Sequence, residues 1–185
     1  MILETIVATA AASGELNCAP MGIELGSGSV LLRPFRTART WSNLKETGEG
    51  VVNFTDDVLI FARCALDPWL PPHRPASRVR GAILEDACQW KEFVVTASEL
   101  SGDRGRFEGR IVAEGRARDS LGFNRARHAV IEATILATRL FLLGRENVLG
   151  ELDRLRPLVE KTGGEREREA FALLERRITE DRRAG

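Results

Sequence analysis

Between Arg33 and Asn43 the chain reads Arg33-Pro34-Phe35-Arg36-Thr37-Ala38-Arg39-Thr40-Trp41-Ser42-Asn43. Arg36 and Arg39 offer bidentate donors, Thr37, Thr40 and Ser42 offer hydroxyls, and Asn43 offers an amide. A phosphomonoester carries nearly two negative charges and several acceptor oxygens, so it is recognised by this density of donors. A helix starting near Thr40 would add free backbone N–H groups and the positive end of its dipole. The same residues also suit a solvated loop in which Thr40 or Ser42 caps the helix. Composition leaves these two readings level. Neither GxxxxGK[ST] nor GxGxxG is present, which argues against a P-loop or Rossmann phosphate site.

Other chemistry is poorly supplied. His73 and His128 are the only histidines, and Cys18, Cys64 and Cys88 are scattered without a CxxC spacing. A metal site needs three or four converging ligands, so none is expected. No GxSxG elbow supports a hydrolase. Thr55-Asp56-Asp57 precedes Val58-Leu59-Ile60-Phe61 as a helix N-cap would. Cys18 reads as a small buried residue, and Trp41, Trp69 and Trp90 read first as core residues.

The elements that must hold the donor-rich turn are mostly strands. Ile2–Ala10, Met21–Leu25, Ser29–Phe35 and Val51–Phe54 are rich in β-branched and apolar residues, with Gly26-Ser27-Gly28 as a hairpin turn. Thr40–Thr47 predicts a short helix ended by Gly48, and Asp57–Leu66 a second one. Asp67–Pro75, with four prolines, predicts an irregular loop. Trp90–Leu100 and Arg106–Arg116 predict two long strands joined through Ser101–Gly105. From Asn124 the pattern turns helical, with Val130, Ile131, Thr134, Ile135, Thr138 and Phe141–Leu142 as one apolar stripe. Two further helices follow, around Leu149–Val159 and Phe171–Ile178. The whole is a mainly β fold with α: a barrel-like body, residues 1–122, and a helical C-terminal subdomain, residues 123–185.

Composition narrows the partners. Of 185 residues, 43% are hydrophobic and 29% charged, and 27 basic residues balance 27 acidic ones. Zero net charge and 6% aromatics, with no Tyr, argue against nucleic acid. No stretch predicts a signal peptide or membrane span. A reduced cytoplasmic setting is expected from the unpaired cysteines.

Three strings together carry a resemblance: Asn17-x-Ala19-Pro20-Met21-Gly22, Arg36-Thr37-x-x-Thr40-x-x-Asn43-Leu44, and Val52-Asn53-x-Thr55-x-Asp57. With Glu132-Ala133-x-Ile135-x-x-Thr138-Arg139 further on, they resemble the prokaryotic domain-of-unknown-function family 447. That family looks like a branch of the FMN-binding split barrels, which include flavin reductases and pyridoxamine-phosphate oxidases. The resemblance implies an FMN-binding split β-barrel, a homodimer with FMN at the subunit interface, and hydride or electron transfer through the flavin, with NAD(P)H as a possible donor. It implies that Arg36, Thr37, Thr40 and Asn43 surround the FMN phosphate. Asn17, Ala19 and Met21 would lie along the isoalloxazine, largely through backbone groups. Asn53, Thr55 and Asp57 would sit near the ring's polar edge or the ribityl chain. Two alternatives stay open: a non-catalytic flavin carrier or sensor, and a cofactor-free dimeric interaction module.

Overall fold

The computed structural model describes residues 1–181. It divides into two compact units, one of Met1–Thr55 with Pro68–Ser120, the other of Asp56–Asp67 with the chain from Leu121 onward.

The first unit contains β1 (Ile2–Ala10), β2 (Leu16–Gly26), β3 (Ser29–Leu32), α1 (Arg39–Thr47) and β4 (Glu49–Phe54). After the excursion into the second unit come β5 (His73–Pro75), β6 (Ala82–Leu84), β7 (Gln89–Ser101) and β8 (Arg104–Arg116). Six strands close a barrel in the order β1-β2-β3-β8-β7-β4, with β4 returning to β1, and every ladder is antiparallel. Closure leaves no free sheet edge where all neighbours are paired. Val7, Ile23, Val30, Leu32, Val52, Phe93 and Phe107 fill the interior, and Leu44 joins them from α1. Each such side chain contributes about 1.5–3 kcal/mol by leaving water. Helix α1 ends at Gly48, whose left-handed φ of 67° lets its N–H reach the Leu44 carbonyl at 3.0 Å.

Several expectations shift. Strand β2 starts at Leu16 and takes Asn17–Pro20 into the barrel, whereas β3 stops at Leu32. His73–Pro75 is a short strand paired with Ala82–Leu84, not irregular loop. Pro75 is tolerated because it lies at the ladder's end and β5 has no second neighbour. The β7–β8 hairpin turns more tightly than expected, with Ser101 opposite Arg104. A register irregularity between Val95 and Ala97 leaves Val95 packed on the core and Ala97 exposed.

The second unit holds α2 (Val58–Leu66), α3 (Arg125–Thr138), α4 (Leu140–Leu143), α5 (Arg145–Thr162) and α6 (Glu165–Glu180). Val58, Leu59 and Ala62 pack with Ala126, Ala129, Val130 and Ala133, with Leu152 and Val159, and with Phe171, Leu174 and Ile178. The small residues of α3 let its neighbours approach closely. Asn124 caps α3 by accepting from the Ala126 and Arg127 amides at 2.8 and 3.1 Å. The expected single stripe through Phe141 is broken at Arg139 (φ −108°, ψ 13°). Leu140 enters the core there, and Phe141 and Leu142 turn outward, 78% and 70% exposed. No helix among the described residues is long and apolar enough to cross a membrane.

Candidate functional site

Residues 33–38 leave β3 and are fastened to the β7–β8 turn. The Arg36 amide donates to the Asp103 carbonyl at 3.0 Å, and the Gly105 amide to the Pro34 carbonyl at 2.9 Å. Arg104 donates to the Arg33 carbonyl at 3.2 Å and lays its guanidinium 3.8 Å from the Phe35 ring centre. The loop is therefore held at both ends of Phe35 while its tip stays exposed.

Helix α1 rises directly from that tip. Its N-cap is Ala38, which offers no side-chain bond, and no acidic residue occupies its first turn. The cap by Thr40 or Ser42 that the solvated-loop alternative invoked is not formed. The first-turn amides of Arg39 and Thr40 have no intrahelical acceptor, as at any helix start, so an anion there meets free donors and the dipole. Arg36, Thr37, Arg39 and Ser42 are exposed around it. Arg39 pairs with Glu15 at 2.7 Å, a well-solvated contact. Arg36 has no ion-pair partner among the described residues.

The inner face of the turn is locked. The Asn17 amide donates to Thr40 Oγ1 at 3.2 Å, joining β2 to the first turn of α1. One turn further, the Asn43 amide donates to Thr9 Oγ1 at 3.0 Å, with both residues buried. The Thr5 hydroxyl donates to the Met21 carbonyl at 2.9 Å. From Leu16 to Gly22, β2 pairs with β1 alone, because its ladder with β3 begins at Ile23–Leu32. Among the described residues no strand covers this edge. Pro20, which lacks an N–H, is at home on such an edge.

The structure thus ties Asn17 to Thr40, with Arg36 and Thr37 exposed just ahead of α1 and Ala19–Met21 further along β2. Asn43 sits beneath them, facing Thr9. Asn53 is fully buried: its amide nitrogen donates to the Ala82 and Ile6 carbonyls at 3.1 and 3.4 Å, and its oxygen accepts from Leu84 N–H at 3.0 Å. The Thr55 hydroxyl donates to the Asp86 carbonyl at 3.2 Å. Asp57 lies in the second unit as the N-cap of α2, accepting from Leu59 N–H at 2.9 Å and from Arg166. Cys18 is buried, and burial pushes its thiol up to about 12. Trp90 packs where Gly115 leaves room, since a Cβ there would fall 2.1 Å from the indole, and Arg74 stacks 4.7 Å from its ring centre. No cluster of metal-ligating side chains occurs among the described residues.

Glu92 was not among the expected site residues. It is buried on β7, and its carboxylate accepts from the Ser77 amide at 3.0 Å, the Ser77 hydroxyl at 2.8 Å and the Arg78 amide at 2.6 Å. Burial pushes the carboxyl up, but these bonds, with the Val79 amide, hold it below the ordinary glutamate range. An internal carboxylate thus organises the 76–81 loop. The sole signal in the sequence was an acid placed beside Phe93 in an apolar strand.

The family model described as the N-terminal domain of a protein of unknown function (DUF447) matches residues 3–118, and its C-terminal counterpart matches residues 124–176. The fold is similar to that of an FMN-bound DUF447 protein from Methanosarcina mazei, at 24% identity over 95% of this chain and 94% of that one, with a TM-score of 0.84. It is also similar to the flavin reductase HpaC, solved with NADP+, at 22% identity over 65% of this chain and 83% of that one, TM-score 0.58. A flavoredoxin from Methanosarcina acetivorans shares 15% identity over 65% of this chain and 72% of its own, TM-score 0.57.

Proposed function

The chain belongs to the DUF447 family, and on that footing we propose that it is an FMN-binding flavoprotein whose barrel carries a flavin-dependent oxidoreductase activity. The observation that carries this reading is the uncapped start of α1, set among Arg36, Thr37 and Arg39 and tied by Asn17 to an open strand edge. Arg36, Thr37 and the first-turn amides of α1 hold the phosphate. The edge from Leu16 to Gly22 presents alternating N–H and C=O groups, which suit a flat ring whose rim carries an N–H between two carbonyls. Asn43 and Asn53 act from inside by fixing the strands that the ligand lies on, and Thr55 does the same at the end of β4.

Bound there, FMN supplies the hydride or electron transfer, and the chain supplies position, electrostatics and exclusion of water. The FMN-bound relative from M. mazei supports the cofactor, and the NADP+ complex of a flavin reductase with this barrel supports a nicotinamide as electron donor.

Titration of the purified protein with FMN and with riboflavin, followed by flavin fluorescence, tests the site. Saturable FMN binding is expected, with riboflavin weaker by about tenfold or more, because one charged hydrogen bond contributes about 1.5–3 kcal/mol. Failure to bind FMN overturns the reading. Absence of NADH and NADPH oxidation by FMN-loaded protein overturns the oxidoreductase part and favours a carrier.

A further inference from the structure

The hairpin of β5 and β6 carries charge that the flavin site leaves unused. From His73 to Gly81 it holds Arg74, Arg78 and Arg80 and no acidic residue, in a chain whose net charge is zero. All three arginines are exposed. Arg80 is engaged by Glu49. Arg74 and Arg78 have no ion-pair partner among the described residues, yet both are held in place by other means. The Arg74 guanidinium lies 4.7 Å from the centre of the Trp90 ring, a stack that restricts its plane. Arg78 sits in a loop closed by the Ala76 amide on the Gly81 carbonyl at 3.1 Å. Beneath that loop the buried Glu92 carboxylate takes the amides of Ser77 and Arg78 at 3.0 and 2.6 Å. Burying a carboxylate is costly, and here the charge serves to order a loop that presents a cation to solvent.

The hairpin also stands beside the proposed flavin face. Asn53 on β4 donates to the Ala82 carbonyl at 3.1 Å. A Cβ on Gly81 would lie 2.8 Å from Val51 Cγ2 and 3.5 Å from the Ala8 carbonyl oxygen, so the hairpin rests against β4 and β1. Ala8 pairs with Cys18, on the stretch of β2 whose outer edge is open. One strand spacing, about 4.8 Å, separates the strand under the hairpin from that edge strand.

We propose that Arg74 and Arg78 recognise the 2′-phosphate of NADPH, and so make NADPH rather than NADH the preferred electron donor. A phosphomonoester carries close to two negative charges near neutral pH. Two uncompensated guanidiniums match that charge, and each can donate a pair of N–H groups to its oxygens. NADH has a neutral 2′-hydroxyl at the same position, with no charge to pair. The nicotinamide ribose, the pyrophosphate and the adenosine ribose separate the redox ring from the 2′-phosphate, so a ring lying on the flavin leaves the phosphate free to reach the hairpin. The role given to this ligand rests on the flavin reading, but its binding does not, because the cations are present with or without FMN.

Calorimetric titration of the purified chain with 2′,5′-ADP and with 5′-AMP, which differ by the 2′-phosphate alone, reads the site without any flavin. 2′,5′-ADP is expected to bind about tenfold or more tightly, the contribution of one charge-assisted hydrogen bond. Arg74→Gln and Arg78→Ala, both at exposed positions, are each expected to remove most of that difference and to leave FMN affinity as it is in the unmodified chain. With FMN-loaded protein, NADP+ is expected to bind more tightly than NAD+ by a similar factor. Equal affinities for 2′,5′-ADP and 5′-AMP overturn the proposal, as does a difference that survives both substitutions. Inorganic pyrophosphate bound as tightly as 2′,5′-ADP overturns it in favour of an unselective anion patch. Loss of FMN affinity in Arg78→Ala overturns it by placing the FMN phosphate at the hairpin. A chain that selects 2′,5′-ADP but binds no FMN upholds the phosphate site and overturns the flavin reading, so the two failures are told apart.

Discussion

The Asn17 side-chain amide donates to Thr40 Oγ1 at 3.2 Å, so the start of β2 and the first turn of α1 are one hydrogen-bonded assembly. The bond spans the two halves of the proposed site, the strand edge and the phosphate end. Replacing Asn17 by Ala removes it and frees α1 to shift against β2. Stability is expected to fall by about 1 kcal/mol, the usual net contribution of a neutral hydrogen bond. FMN affinity is expected to fall by more than riboflavin affinity does, because the displaced element is the phosphate end. Parallel urea unfolding and flavin titrations check both halves of the expectation. Equal losses for the two flavins would count against it.

Arg36 and Arg39 flank the same helix start but differ in what holds them. Arg39 is engaged by Glu15, an exposed pair of the kind that contributes about 0–1 kcal/mol. Among the described residues Arg36 is fixed through its backbone alone, to Asp103. Arg36→Ala is expected to weaken FMN binding about tenfold, the loss of one charge-assisted bond, and to flatten its salt dependence. Arg39→Ala is expected to have the smaller effect, because its guanidinium must first leave Glu15. Fluorescence titrations at low and high salt separate the two residues, and a reversed order would place the phosphate elsewhere.

Much of this site could be read from residue types, and the reasons for the rest are physical. Arg36, Thr37 and Thr40 announce themselves by donor density, and Gly48 marks the helix end because few residues but Gly accept its left-handed φ. Asp57 before four apolar residues signals a cap, and the structure forms that bond to Leu59. Asn17–Pro20 was harder, since Asn, Ala and Pro are poor strand formers and the expected strand began only at Met21. They join β2 because pairing with β1, a tertiary contact, outweighs their low strand propensity. The break at Arg139 was equally hidden: burying Leu140 resets the helical phase, and no local residue marks it. Glu92 is satisfied by backbone amides fifteen residues away in the chain, so its role depends on a loop geometry that pattern does not encode.

Glu92 gives a pH-dependent prediction. Its folded-state carboxyl is held below the ordinary value, near 4.3 for a free glutamate, so its bonds stabilise the fold fully above that value. That stabilisation is lost as pH falls through the lower, folded-state value. Glu92→Gln keeps the shape but loses the charge and presents an N–H2 to donors. A loss of about 1.5–3 kcal/mol is expected at neutral pH, in line with hydrogen bonds to a charged group. Urea unfolding across the acid range is expected to show the gap between the two proteins constant near neutrality and closing as pH falls below the ordinary glutamate value and through the lower, folded-state one. A gap that widens on acidification would reverse the sign and refute the carboxylate's role.

In the helical unit Arg127 carries the corresponding burden. Its guanidinium reaches Asp56 at 3.0 Å and Glu167 at 3.1 Å, and the side chains of all three are at most 20% exposed. Arg127 thereby links the start of α3 to the residue leading into α2 and to the first turn of α6. Arg127→Met retains much of the apolar stem and removes the charge, which takes the shared cation away from two mostly buried carboxylates. Breaking a buried pair on one side costs about 3–5 kcal/mol, and partial solvation here argues for the lower end. The triple change Arg127→Met, Asp56→Asn, Glu167→Gln removes the two negative charges as well, so it is expected to recover part of that loss. Thermal unfolding of the two variants at neutral pH distinguishes a charge-balancing role from simple packing. If packing by the arginine stem were the whole effect, the single and triple variants would melt together.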